Sequence, residues 1–136
     1  MDLYLKDKVV IVTGGAKGIG KSIVLALAQE GAIPVIVGRR QADNLLVKAE
    51  VEALGGQALA LEAELAQPEA CAAAVAQVLS SYGRIDGLVN NAGLALGVDK
   101  EYEGVEENYD TMIDTNITAL LMITRLVVPG MVARGK

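Results

Sequence analysis

The chain contains no histidine. A Ser-His-Asp triad, a Cys-His pair and a histidine-ligated zinc are therefore all excluded. Phenylalanine and tryptophan are missing too, so the core must be aliphatic, with Tyr4, Tyr82, Tyr102 and Tyr109 as the only aromatics. Cys71 is the single cysteine. One thiol forms no internal disulfide; within its alanine-rich segment it reads as a small buried apolar side chain in a reducing compartment. The net charge is -5 and no dense basic patch occurs, which argues against a nucleic-acid partner. The opening MDLYLKDK carries charges where a secretory signal needs an apolar stretch, and no continuous run of about 18 apolar residues exists. The expectation is a soluble, cytoplasmic protein with no membrane partner. What is present is ample apolar material, 52% of 136 residues, which suits one domain over 1–136.

Val9-Val10-Ile11-Val12 is a β-branched apolar run closed by glycines, as a strand buried on both faces would be. Ile19, Ile23 and Leu27 then recur at helical spacing, and Gly31 stops the pattern. Ile33 to Val37 predicts a second strand, with Pro34 near its start, where a missing N–H costs least. A helix over about Asp43–Leu54 ends at Gly55-Gly56, and Ala58 to Leu61 predicts a short third strand. Pro68 opens the next helix and Gly83 closes it, with Cys71, Val75, Val78, Leu79 and Tyr82 as its apolar stripe. Ile85 to Val89 predicts a fourth strand, followed by a loop containing Gly93, Gly97 and Gly104. A long helix from about Glu106 to Val132 completes the chain, bent or ended by Pro129. Strands alternating with helices imply an α/β fold whose parallel sheet is covered on both faces.

The stretch TGGAKGIG, Thr13 to Gly20, joins the first strand to the first helix. Glycines there let the backbone turn sharply and approach a ligand closely. The helix start then aims unpaired N–H groups and the positive dipole end at that ligand, which suits a pyrophosphate. A glycine-rich turn that binds nothing is the plainer alternative. The strand before it and the amphipathic helix after it favour the phosphate reading.

TGGAKGIG resembles the TGxxxGxG turn of the short-chain dehydrogenase/reductase family. Asn90-Asn91-Ala92-Gly93 is similar to that family's NNAG motif, and Asn116 in DTNITA falls where the family places the asparagine of its catalytic tetrad. The resemblance covers nearly the whole chain. It implies a Rossmann-type doubly wound parallel sheet of order 3-2-1-4, truncated after the fourth strand and its helix. It also implies a nicotinamide-dependent oxidoreductase acting on a small carbonyl or alcohol. Gly14, Gly18, Ile19 and Gly20 would line the cofactor phosphates and ribose, and Asn90 and Gly93 would flank the cofactor.

The tip of the second strand bears on which dinucleotide is bound. An acid there would accept hydrogen bonds from an unmodified ribose and repel a 2′-phosphate. This chain has Gly38, then Arg39 and Arg40, with Lys17 in the glycine turn. Guanidiniums can grip a phosphate bidentately. NADP is the expected cofactor and NAD the alternative; solvated surface charges are the plainer reading. The family usually has an aspartate after the third strand, against adenine. Glu64, followed by Leu65, stands there instead, and a solvated surface role is open for Glu64.

Hydride transfer to a carbonyl needs an acid for the developing alkoxide. The family supplies it from a YxxxK motif. Only Tyr4 and Lys8 have that spacing here, and they precede the first strand, far from the sheet's carboxyl edge. Asn116 is then the only tetrad position present. By the resemblance its backbone helps hold a water at a local irregularity in the helix. The family's serine and tyrosine-lysine pair would follow Lys136, so the natural gene is expected to continue. The fourth strand should be an edge. Ile113, Ile117, Leu120, Leu121, Ile123, Val127 and Val128 offer more apolar surface than four strands can bury, so a homo-oligomer or the remainder of a longer chain is expected. The alternatives to an oxidoreductase are a noncatalytic dinucleotide-binding module and a self-associating structural fragment. The opening MDLYLKDKVVIVTGG is similar to sugar dehydrogenases of the family, including those acting on fucose.

Overall fold

The computed structural model describes residues 1–93, 110 and 112–135. Strand β1 (Val9–Thr13) leads to helix α1 (Gly18–Gln29), β2 (Ile33–Gly38), α2 (Gln41–Ala53), β3 (Leu59–Glu62), α3 (Pro68–Tyr82) and β4 (Gly87–Val89). A π-helical turn, Asp114–Thr118, then runs into helix α4 (Ala119–Arg134). The strands form one parallel sheet in the order β3-β2-β1-β4, as the motif order implies. The expected loop glycines Gly97 and Gly104, the helix start near Glu106, and Tyr102 and Tyr109 lie outside the described residues.

Alternation along the strands sends consecutive side chains to opposite faces. Val9 and Ile11 of β1, with Val35 and Val37 of β2, pack with Cys71, Val75 and Val78 of α3 and with Ile123 and Val127 of α4. Val10, Val12 and Ile36 face the other way and pack with Val24 and Ala28 of α1 and Val47 and Val51 of α2. Two apolar faces per strand explain why β1 and β2 are unbroken aliphatic runs.

Several boundaries differ from the sequence reading. Helix α1 buries Gly20, Val24 and Ala28, while Ile19 is 75% exposed. Small residues let α1 press close to the sheet, so its contact line lies one residue beyond the bulkier Ile19-Ile23-Leu27 series. In α3, Ala74 joins the buried stripe and Leu79 is exposed. Helix α2 begins earlier, at Gln41, and β3 lies one residue later. Strand β4 starts at Gly87; Ile85 is buried but outside the ladder. Pro129 does not end α4, which runs on to Arg134 and stops at Gly135 in the left-handed conformation (φ 74°).

Asp86 fixes β4 beside β1. Its Oδ2 accepts hydrogen bonds from Val9 N and Arg84 Nε, both at 2.9 Å, and its own N donates to Val9 O at 2.8 Å. Arg134 Nη2 lies 3.8 Å from Asp86 Oδ1. Burial pushes the Asp86 carboxyl up, but the Val9 amide and the Arg84 guanidinium outweigh it, and the carboxyl sits below its ordinary value. This clamp carries the chain along β4 to the carboxyl edge of the sheet, where Asn90–Gly93 follow.

Helix α4 lies on α3 through Ala119, Ile123 and Val127. Its opposite side is apolar and exposed, at Leu120, Leu121, Leu126, Val128 and Val132, with Ile113 and Ile117 continuing it. The segment Asn116–Arg134 has a mean hydropathy of 1.6 and is long and apolar enough to cross a membrane by length and composition alone. Among the described residues β4 pairs with β1 only, so its other edge is open.

Candidate functional site

The turn after β1 is built around Thr13. Its buried hydroxyl oxygen accepts from Asn91 N (3.0 Å) and Ala92 N (2.9 Å) and lies 3.3 Å from Val89 O, to which it donates. Gly14 has φ 65°, and its N–H donates to Val37 O at 2.8 Å. Asn91 Nδ2 donates to Gly14 O at 3.2 Å. Helix α1 then comes so close that a Cβ on Gly20 would run into the Gly14 carbonyl oxygen and lie 2.8 Å from the Gly14 carbonyl carbon. The glycine at 20 is therefore required by close approach, and the one at 14 by its positive φ. Lys17 caps α1 in an extended conformation, with no side-chain hydrogen bond to the helix. Among the described residues the first N–H groups of α1 have no side-chain acceptor from the N-cap, and the helix starts at the carboxyl end of β1.

A groove of about 350 Å³ opens beside this turn. It is bounded by Gly14 and Lys17, by the β2 tip at Gly38, Arg39 and Arg40, by Glu64 and Leu65 after β3, and by Gly93 after β4. Val37, Ala63, Leu65 and Ala92 give it an apolar floor, and Lys17, Arg39 and Arg40 give it positive charge. Two carboxylates temper that charge. Lys17 Nζ is 3.4 Å from Asp43 Oδ2, and Arg39 Nη1 is 3.8 Å from Glu64 Oε2. Lys17 is 70% and Arg39 60% exposed, so both pairs are well solvated and contribute little to stability. A bound phosphate could take over either cation at small cost. The Arg40 side chain makes no hydrogen bond or ion pair among the described residues.

Of the candidate residues, Gly14, Lys17, Arg39, Arg40, Glu64, Leu65 and Gly93 meet at the groove. Gly20 lies beneath the turn, and Gly18 and Ile19 form the exposed start of α1. Gly18 has φ 54°, and a Cβ there would meet open space. The Asn90 amide Nδ2 donates to Thr124 Oγ1 at 3.1 Å, which ties the end of β4 to α4. Asn116 sits within the π-helical turn, the kind of irregularity the family resemblance implies, and its Oδ1 is 3.7 Å from where a Gly93 Cβ would lie. Glu64 is shared between the groove and its own loop: Oε2 faces Arg39, and Oε1 accepts from Ala66 N at 3.3 Å. Behind Leu65, the buried Cys71 thiol donates to Leu65 O at 3.2 Å, and burial raises its pKa. That fits an inert packing role.

Sequence reasoning missed Asp43 and Asn44, which line the groove from the first turn of α2, and the hydrogen-bonding roles of Thr13 and Asn91. The β2 tip itself carries no carboxylate, as the sequence reads; Asp43 lines the groove from α2 and pairs with Lys17 of the glycine turn. One signal could have found these two: with α2 starting at Gln41, both follow within the turn after the arginine pair.

The short chain dehydrogenase family matches residues 8–136. The chain is 41% identical over 136 residues to the L-xylulose reductase of Mesocricetus auratus, covering 99% of this chain and 52% of that protein. It is 36% identical over 128 residues to the NADP-dependent 3-hydroxy acid dehydrogenase YdfG of Salmonella typhi, covering 94% of this chain and 50% of that one. Among solved structures, a metagenomic short-chain oxidoreductase in complex with NADP superposes with a TM-score of 0.93 at 32% identity, covering 97% of this chain and 60% of its own. A xylitol dehydrogenase bound to NAD+ shares the fold as well, so the similar proteins include users of both cofactors. The chain spans about half the length of the curated relatives it matches. Fold, turn geometry and these similarities agree: the chain belongs to the short chain dehydrogenase family.

Proposed function

We propose that this chain is the coenzyme-binding part of an NADP-dependent oxidoreductase that interconverts a small carbonyl compound and its alcohol. One observation carries the reading. Gly14, Lys17, Arg39 and Arg40 line one groove, and the start of α1 follows directly from Lys17, held against the Gly14 carbonyl by the close approach of Gly20. A dinucleotide fits that donor set. Its diphosphate would lie at the α1 N–H groups, and a 2′-phosphate would lie at the β2 tip, with Arg40 ready to receive it. The adenine would rest on Leu65 and Ala63, and Asn90, Gly93 and Asn116 would border the nicotinamide end. When bound, the coenzyme supplies the hydride. The residues of this chain bind and orient it.

A second reading, binding without turnover by these residues alone, is favoured by the position of Tyr4. Of the four tyrosines, only Tyr4 has a lysine four residues on. It lies before β1, at the amino edge of the sheet, where Lys8 O accepts from Ile33 N. A strand of this length separates it from the groove by roughly 15 Å, too far for proton transfer.

The test is a titration of the chain with NADPH and NADH, followed by the fluorescence of the reduced nicotinamide. NADPH is expected to bind at least about tenfold more tightly, or about 1.4 kcal/mol. No binding of either coenzyme at about millimolar concentration, a free energy of roughly 4 kcal/mol, would overturn the reading.

A further inference from the structure

Asn44 is fully buried in the first turn of α2, a site where a polar side chain must justify its desolvation. Its Nδ2 lies within hydrogen-bond distance of Gly38 O (3.1 Å), Leu61 O (3.1 Å) and Gln41 Oε1 (3.0 Å). Gln41 Nε2 in turn donates to Ala60 O at 3.0 Å. The carboxamide thus ties the tip of β2 to β3 and to the start of α2. Among the described residues its Oδ1 has no hydrogen-bond partner. That oxygen fills a particular space: a Cβ built on Gly38 would collide with it and would lie 3.3 Å from Asn44 Cγ.

Position 38 is the strand tip where an acid would accept hydrogen bonds from the ribose of NAD and repel a 2′-phosphate. We propose that Asn44 is a positioning residue for coenzyme choice: its pinned carboxamide occupies the room that any side chain at 38 would need, and so keeps the β2 tip to arginines with no carboxylate on the strand. The inference rests on the coenzyme reading above. It adds that the preference is set from behind the groove, by a buried amide, as well as by the charges that face it. Swinging Asn44 aside would give up its hydrogen bonds to the Gly38 and Leu61 carbonyl groups, the latter buried.

The experiment compares the wild-type chain, Gly38→Asp, Asn44→Ala and the double variant by NADPH and NADH titration and by thermal unfolding. Gly38→Asp alone is expected to unfold at lower temperature and to bind both coenzymes more weakly. Adding Asn44→Ala should restore part of the lost thermal stability and shift the NADPH:NADH affinity ratio at least about tenfold toward NADH relative to wild type. Gly38→Ala, read by thermal unfolding with and without Asn44→Ala, keeps the steric part testable if the aspartate variant fails to fold; rescue by Asn44→Ala supports the proposal and additive losses overturn it. If Gly38→Asp alone gains NADH as fully as the double variant, with no loss of thermal stability, Asn44 plays no part in the choice. Wild-type protein that binds neither coenzyme overturns the coenzyme reading itself, and the selective role of Asn44 with it.

Discussion

Gly20→Ala adds one methyl group to the first turn of α1. That methyl would overlap the Gly14 carbonyl oxygen and lie 2.5 Å from Asn91 Nδ2 and 2.8 Å from the Gly14 carbonyl carbon. Neither obstacle is a loose side-chain end. One is backbone held by the Gly14–Val37 hydrogen bond, and the other is the amide that holds Gly14 O. Overpacking of this kind costs about 1–3 kcal/mol, and losing the Asn91–Gly14 hydrogen bond adds about 1 kcal/mol. The better helix propensity of alanine returns about 0.8–1 kcal/mol. The net expectation is a loss of about 2 kcal/mol. Gly130→Ala is the matched control. It is also helical, but its methyl would meet only Arg134 Nη1 at 3.6 Å, so it should stabilise the chain by about 0.8 kcal/mol. Urea unfolding followed by far-UV circular dichroism measures both. A Gly20→Ala variant within about 0.5 kcal/mol of wild type, the usual range for a change away from special features, would refute the close-approach reasoning.

Further outcomes follow from other contacts. Asp86→Ala removes the acceptor shared by Val9 N and Arg84 Nε and should cost about 1.5–3 kcal/mol at neutral pH. Because the folded carboxyl sits below its ordinary value, its contribution is complete above the unfolded pKa and disappears as pH falls through the lower folded one. The stability gap between wild type and variant should therefore close in acid, and a gap that widens there would contradict the assignment. Ile123→Ala, at a buried site on α4, should cost about 2–5 kcal/mol, whereas Leu121→Ala, 61% exposed, should stay within about 0.5 kcal/mol. Equal losses would mean that α4 packs through a different face. The Cys71 thiol should not react with a chromogenic disulfide reagent in the folded chain and should react fully in denaturant; rapid native labelling would contradict its burial.

The parts of this molecule that were legible in the sequence are those written in local pattern. β1 and β2 are aliphatic runs because both of their faces are covered, and TGGAKGIG announces its turn because glycine suits the left-handed backbone at 14 and alone fits the contact at 20. Pattern misled where size mattered more than hydrophobicity. The spacing of Ile19, Ile23 and Leu27 looks like the buried face of α1, yet the helix docks through Gly20, Val24 and Ala28 because small residues permit the closer approach. Glu64 was legible as a candidate after the third strand, but Asp43 and the ion pairs of both acids were not. Asp43 reaches Lys17, and Glu64 reaches Arg39, only because α2 starts at Gln41 and β3 delivers Glu64 beside the β2 tip. Those are consequences of three-dimensional register, which a one-dimensional charge count does not contain. Asn44 was hidden in the same way: a polar letter in a helix usually means solvent, and only the neighbouring carbonyl groups of Gly38 and Leu61 explain its burial.

The most direct measurement is a backbone amide NMR titration of the chain with NADP+. The account expects the largest shifts at Gly14, Lys17, Gly18, Ile19 and Gly20, with a second set at Arg39 and Arg40 that NAD+ reproduces only weakly. Shifts confined to the exposed face of α4, or an unchanged spectrum at saturating coenzyme, would contradict it.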